Sequence, residues 1–230
     1  MSWMMKFAGV AAAAAMFTGL AATQAKAAVY MFTTSGTGSD GSVSASATIT
    51  TSGNTLTVTL TSLEANPTAA GQLLSGIQIL GTGATGSTLT NSAGALVNIS
   101  GGTATPTGGT IDHWGSTVSG GSIFLATAGT GSVGGMPVDL IIGPGPYTNA
   151  NSSITVRNPQ ISQTATFTLM LTGVTNPNIT GVNFMFGTGP DFSLPGVPGV
   201  PEPATCAMLI LGFGMVGAGL RLRRKSVAYA

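Results

Sequence analysis

Apolar and polar side chains alternate with a period of two through much of the chain. Val43, Ala45, Ala47 and Ile49 take turns with Ser44, Ser46, Thr48 and Thr50, and after Ser52-Gly53-Asn54 the pattern resumes as Leu56, Val58 and Leu60 against Thr57, Thr59 and Thr61. Successive residues of a strand point to opposite faces, so this stretch predicts a hairpin with one face in a core. Threonine suits the outer face, because its β-branch fits the pleat while its hydroxyl stays hydrated. The same period recurs at Ala165, Phe167, Leu169 and Leu171, and at Val182, Phe184 and Phe186. Shorter apolar runs predict further strands at Val29–Phe32, Ala95–Ile99, Ser122–Ala126, Val138–Ile142 and Ile154–Val156, and Leu73–Leu80, whose apolar residues are not cleanly periodic, reads as a strand in preference to a helical turn. Between Gly81 and Gly109 the chain is mostly Gly, Thr, Ser and Ala, which outside Ala95–Ile99 reads as long mobile surface loops. Short strands, turns of Gly, Pro and Asn, and no sustained 3.6-residue period outside the ends predict an all-β fold: one antiparallel β-sandwich or jelly-roll-like domain over residues 28–191.

The two ends break this pattern. Residues 1–27 hold one early cation, Lys6, an apolar stretch from Phe7 to Ala22, and the small-x-small sequence Ala25-Lys26-Ala27. That arrangement predicts a secretory signal peptide cut between Ala27 and Ala28. At the other end, residues 192–200 are rich in Pro and Gly and read as an extended linker unable to form helix or ladder. Pro201-Glu202-Pro203 follows, then an uncharged apolar run over 204–220, then Arg221, Arg223, Arg224 and Lys225. As a helix the run would extend ~25 Å at ~1.5 Å per residue, against a bilayer core of ~30 Å. It predicts a short transmembrane helix, with the basic cluster as a stop-transfer signal that holds the C-terminus inside and everything before Pro201 outside.

Pro-Glu-Pro, a short apolar helix and a terminal basic cluster, in that order, resemble the PEP-CTERM sorting signal of Gram-negative bacteria. Cys206 stands where the subgroup most like this tail carries an aromatic residue, usually Trp. The strand ending in Phe186-Gly187-Thr188 before a Pro/Gly linker is also similar to the close of many PEP-CTERM ectodomains, and Asp139-Leu140-Ile141-Ile142-Gly143-Pro144 and Asn158-Pro159 resemble segments of uncharacterised members. The resemblance implies a sorting signal over 201–225, recognition at Pro201, Glu202 and Pro203 by exosortase, a membrane protease-transpeptidase, and transient residence in the inner membrane.

Charge narrows the partners. Between the two ends stand five acids, Asp40, Glu64, Asp112, Asp139 and Asp191, against one base, Arg157, a net charge of −4. No basic surface exists for nucleic acid. The sole cysteine, Cys206, lies in the apolar tail, so no intrachain disulfide forms and the domain is expected to hold by core burial and backbone pairing alone. Gly-Thr-Gly units at Gly36, Gly81, Gly129 and Gly187 recur at unequal steps, which excludes a solenoid or propeller.

Little in the sequence carries reaction chemistry. His113, the only histidine, lies in Asp112-His113-Trp114. As a general base oriented by Asp112 it would need a nucleophile, and the chain has neither a Gly-x-Ser-x-Gly elbow nor an available cysteine, so no enzyme is expected. An exposed Trp114 could instead stack on a sugar ring while Asp112 and His113 take its hydroxyls, which makes the three candidate glycan contacts; the alternative is Trp114 packed at the end of the sandwich. The carboxylates are scattered, with no pairing legible. Ser35–Ser42 is one imperfect copy of a calcium-binding nonapeptide and reads as a turn. One histidine and one cysteine in an apolar tail supply no zinc site, and no cofactor is expected. The reading is an exported, non-catalytic surface or extracellular-matrix protein of the biofilm or exopolysaccharide layer, placed at the cell surface or released after cleavage. The alternative is a carbohydrate-binding module using Trp114 and the Gly-rich loops.

Overall fold

The computed structural model describes residues 27–127, 137–189 and 192–199. The expected signal peptide, apart from Ala27, and the sorting tail with its apolar run lie outside the described residues. None of the described helices is long and apolar enough to cross a membrane.

The described residues are nearly all β. The alternating hairpin forms as expected from β2 (Gly41–Ser52) and β3 (Thr55–Ser62), joined by Gly53-Asn54. Gly53 has φ +61°, and its N–H donates to the Asn176 side chain at 3.0 Å. β1 (Ala28–Gly38) pairs along β2, and β10 (Gln160–Thr172) along β3. On β10's other side lies β5 (Gly86–Ser100), followed by β6 (Thr103–Thr107). Across the core, β4 (Leu74–Leu80) is flanked by β11 (Gly181–Phe186) and by β8 (Ser122–Ala126), which carries β7 (Gly115–Ser119) on its far side. A two-residue strand, β9 (Ile141–Ile142), joins the two layers, pairing antiparallel with β4 and parallel with β10, so the whole is one mixed network.

The alternation sets which face is dry. Val43, Ala45, Ala47 and Ile49 meet Leu56, Val58 and Leu60, then Ala165, Phe167 and Leu169 of β10, and pack against Ile77, Ile79, Val182 and Phe184 of the opposite layer. Burying such side chains contributes ~1.5–3 kcal/mol each. On the wet face, Thr59 with Thr166 and Thr61 with Thr164 exchange hydroxyl hydrogen bonds across β3 and β10 at 3.1 Å. A second cluster gathers Leu73, Val97, Ile99, Leu140, Ile142, Tyr147 and Ile154 at one end. There burial raises the pKa of Tyr147, whose hydroxyl donates to the Gly143 carbonyl.

Several expectations need correction. The Gly81–Gly109 region is largely strand. β5 exposes most of its side chains, so it shows no core alternation, and it is held by its backbone ladder to β10. Gly94 of β5 lies where a Cβ would come within 2.9 Å of Ile161 and 3.0 Å of Ile111, which explains a glycine inside a strand. Ile154-Thr155-Val156 is no strand. The Asn151 side chain accepts from Ser153 N–H at 2.9 Å and caps the short helix α1 (Ser152–Thr155). Val138–Ile142 shrinks to the two residues of β9, preceded by Asp139 at φ +56°.

The largest correction concerns the linker. Phe192–Pro195 forms β12 against β11, and Val197–Gly199 forms β13 against β1. Prolines are tolerated because both strands lie at sheet margins, where a missing N–H leaves no ladder bond broken inside. One residue, Gly196, passes between the layers; its N–H donates to the Val182 carbonyl at 2.8 Å, and Thr34 donates its hydroxyl to the Pro195 carbonyl at 3.0 Å. The segment is therefore a strap that joins β11 to β1. A Cβ on Gly196 would come within 2.5 Å of Val182 Cγ2, 3.1 Å of Phe184 and 3.2 Å of Phe32. Gly196→Val is expected to destabilise the domain by about 1–3 kcal/mol through overpacking. The thermal midpoint should fall by roughly 3–10 °C for a domain of this size; an unchanged midpoint in circular dichroism melts would show that the strap carries no such load.

Candidate functional site

The connection from β6 to β7 carries Asp112, His113 and Trp114, and the core fixes its position. Trp114 is 5% exposed, its ring stacks on Phe167 of β10 with centroids 4.4 Å apart at 28°, and its indole N–H donates to the Asp139 carbonyl at 2.8 Å. The packed alternative for Trp114 is the one observed. With its ring covered, the indole offers no open face to a sugar, and the glycan reading loses its stacking platform.

The same anchoring brings three ionisable groups together. Asp139 enters in the left-handed region, donates its backbone N–H to the Pro159 carbonyl at 3.3 Å, and buries its side chain to 2% exposure. Its Oδ2 lies 2.8 Å from His113 Nδ1, and Asp112 Oδ1 lies 2.8 Å from the same nitrogen. His113 and Asp112 are open to water, with side chains 51% and 67% exposed. One donor atom from each of the three lies within 4.8 Å of the others. An Asp112–His113 contact belonged to the general-base reading that was set aside for want of a nucleophile; the arrival of Asp139, 26 residues on, had no place in any reading of the sequence. A signal for it did exist. An acid inside the apolar run Val138–Ile142 is costly to bury unless something of opposite charge or hydrogen-bonding power meets it.

The chemistry open to this cluster is limited. A carboxylate on Nδ1 orients an imidazole for base catalysis, yet among the described residues no Ser or Thr hydroxyl bonds to His113. Two carboxylates converging on one imidazole can instead hold a divalent ion, so an inventory confined to histidine and cysteine missed the only donor set the fold assembles among the described residues. Beside it an open groove of about 430 Å³ runs between Thr90, Asn91 and Ser92 of β5 and the Asp112 loop. The other described acids have structural partners: Asp40 accepts from Gly71 N–H at 3.2 Å, and Glu64 from the Ser42 hydroxyl at 2.7 Å. The imperfect calcium-like segment forms the end of β1, a turn at Ser39-Asp40 and the start of β2.

Of the residues tied to export, Ala28 opens β1 opposite Thr51 of β2, and Ala27 lies just before it. Ala25, the tripeptide Pro201, Glu202 and Pro203, and the basic Arg221, Arg223, Arg224 and Lys225 lie outside the described residues. Both ends of the described chain leave from one margin, because Gly199, the last residue of β13, pairs with Met31 of β1.

Comparison with curated proteins finds no match. Among solved structures, the crystal structure of the KRT10-binding region domain of the pneumococcal serine rich repeat protein PsrP is similar at 15% identity, covering 74% of this chain and 97% of that one with a TM-score of 0.30. A family model described as the PEP-CTERM protein-sorting motif matches residues 199–225. The tripeptide, the apolar run and the basic cluster all fall inside that span, so the chain carries a PEP-CTERM protein-sorting motif at residues 199–225.

Proposed function

We propose that this chain is an exported, non-catalytic surface protein, threaded across the inner membrane by its N-terminal signal, held briefly by its C-terminal apolar run, and cut near Pro201-Glu202-Pro203 by an exosortase. The observation that carries the reading is the sorting motif at residues 199–225. The folded part agrees with it: its charge is low and negative, its outer strand faces carry Thr and Ser, and its one histidine has no nucleophile beside it among the described residues. Such a hydrated, weakly charged surface suits the extracellular matrix or exopolysaccharide layer, which we take as its destination in a Gram-negative host.

Mass spectrometry of the protein recovered outside a host that has the protease is expected to find chains that begin at Ala28 and lack the residues after Pro203. Deleting the protease gene should restore the tail. An intact tail on exported protein from the unmodified host would sink the proposal.

The junction between fold and motif adds a constraint. The motif match begins at Gly199, the last residue of β13, and Pro201 follows two residues on. Two extended residues reach only ~7 Å. A protease cleft that grips several residues on each side of the cut therefore draws on β13, and release of Val197–Gly199 from Met31–Thr33 supplies the slack. An ideal Cβ on Gly199 lies 3.3 Å from Met31 Cβ, near the ~3.5–4.5 Å of a disulfide. Met31→Cys with Gly199→Cys, in a Cys206→Ser background, is expected to slow cleavage several-fold when oxidised and to recover with reductant. Equal cleavage of the oxidised and reduced forms would mean that β13 stays in place during processing.

A further inference from the structure

We propose that Asp112, His113 and Asp139 form a zinc-type divalent cation site that staples the β6–β7 connection to the segment entering β9. The first ground is a mismatch in hydrogen count. His113 Nδ1 faces two carboxylate oxygens, each at 2.8 Å. That nitrogen carries at most one proton, and one proton cannot point at both oxygens with good geometry. An ion seated among the three satisfies all of them at once, with the imidazole in the Nε2–H tautomer presenting its Nδ1 lone pair.

The second ground is Asp139. Its side chain is 2% exposed, and its one ion-pair partner among the described residues is a half-exposed imidazole. A carboxylate out of water is costly unless a cation compensates it. Arg157 is the only Lys or Arg between Lys26 and Arg221, and its guanidinium donates to the Ser153 carbonyl instead. No other side chain in the described domain can bring positive charge to Asp139.

The donor set selects the ion. Zinc takes imidazole nitrogen at ~2.0–2.1 Å and carboxylate oxygen at ~2.0–2.2 Å. Donor atoms around a tetrahedral zinc stand ~3.4 Å apart. Nδ1 lies 2.8 Å from each carboxylate oxygen, and all three donors lie within 4.8 Å of one another. Seating an ion therefore needs the imidazole to move back by roughly half an ångström and the two carboxylates to close on each other by up to about 1.5 Å, within reach of side-chain rotation at the exposed Asp112 and His113. Calcium wants six or more oxygens at longer distances, and magnesium avoids imidazole in favour of oxygen and water. Exposed Asp112 and His113 leave an entry path and room for solvent ligands. The site would close a loop across residues 112–139 in a domain that has no cysteine of its own, a cross-link that stabilises the folded form by binding it and not the unfolded chain.

The test uses the full chain in detergent, stripped with EDTA, in a Cys206→Ser background that removes the competing thiol. Calorimetric titration with Zn²⁺ is expected to saturate at one ion per chain and to raise the unfolding midpoint, and EDTA should reverse the rise. Ca²⁺ and Mg²⁺ should do neither. His113→Gln and Asp112→Ala change exposed side chains and should keep the fold while weakening Zn²⁺ binding at least about tenfold; Asp139→Asn should lose binding too, with its metal-free melting curve recorded separately. Absence of saturable binding at micromolar Zn²⁺, or binding by His113→Gln as tight as by the parent, would overturn the site and leave a plain imidazole–carboxylate contact.

Discussion

Without a disulfide, this domain depends on closing its own sheet margins. Each open edge of a sheet presents unpaired N–H and C=O groups that water or another chain must satisfy. Here the strap of β12, Gly196 and β13 covers the edge of β11 and the edge of β1 in a single pass, using seven laddered residues. The join is possible only because Gly196 fits where the side chains of Val182, Phe184 and Phe32 leave no room for a Cβ. Closure thereby brings the chain's exit to the start of β1. The described chain therefore begins and ends at one margin of the sandwich, with Ala28 at the start of β1 and Gly199 paired to Met31 of the same strand, an arrangement compatible with the proposal that the protein folds while its tail is still held.

The sequence was readable where burial alternates and obscure where backbone pairing alone holds a strand. β2, β3, β10 and β11 put every second residue in the core, so their period survives in the sequence. β5 and β6 expose most of their side chains, and their Gly, Ser, Thr and Ala read as loop; only the Leu96–Ile99 end of β5, which turns inward, left a trace. The Pro/Gly strap is the opposite case, since its composition argues against a ladder. Marginal position overrides that argument, because a proline with its nitrogen at a sheet edge breaks no bond that the sheet needs. The helix at 152–155 was hidden by brevity: three β-branched residues look like a strand until Asn151 caps the turn before them.

The acid–histidine cluster was half legible for a related reason. Asp112 and His113 are neighbours in the chain, but the third member arrives through packing. Trp114 is the pivot: stacking on Phe167 fixes the loop's depth, and its indole N–H on the Asp139 carbonyl fixes its register against the strand entry opposite. The tryptophan that sequence reading offered to a sugar is spent on holding two loops in place. Its burial therefore weakens one functional reading and creates the other, since the residue that cannot reach solvent is what delivers a buried carboxylate to an exposed imidazole. Any chemistry at this end of the sandwich belongs to the polar atoms that Trp114 positions, and the ring itself acts through them.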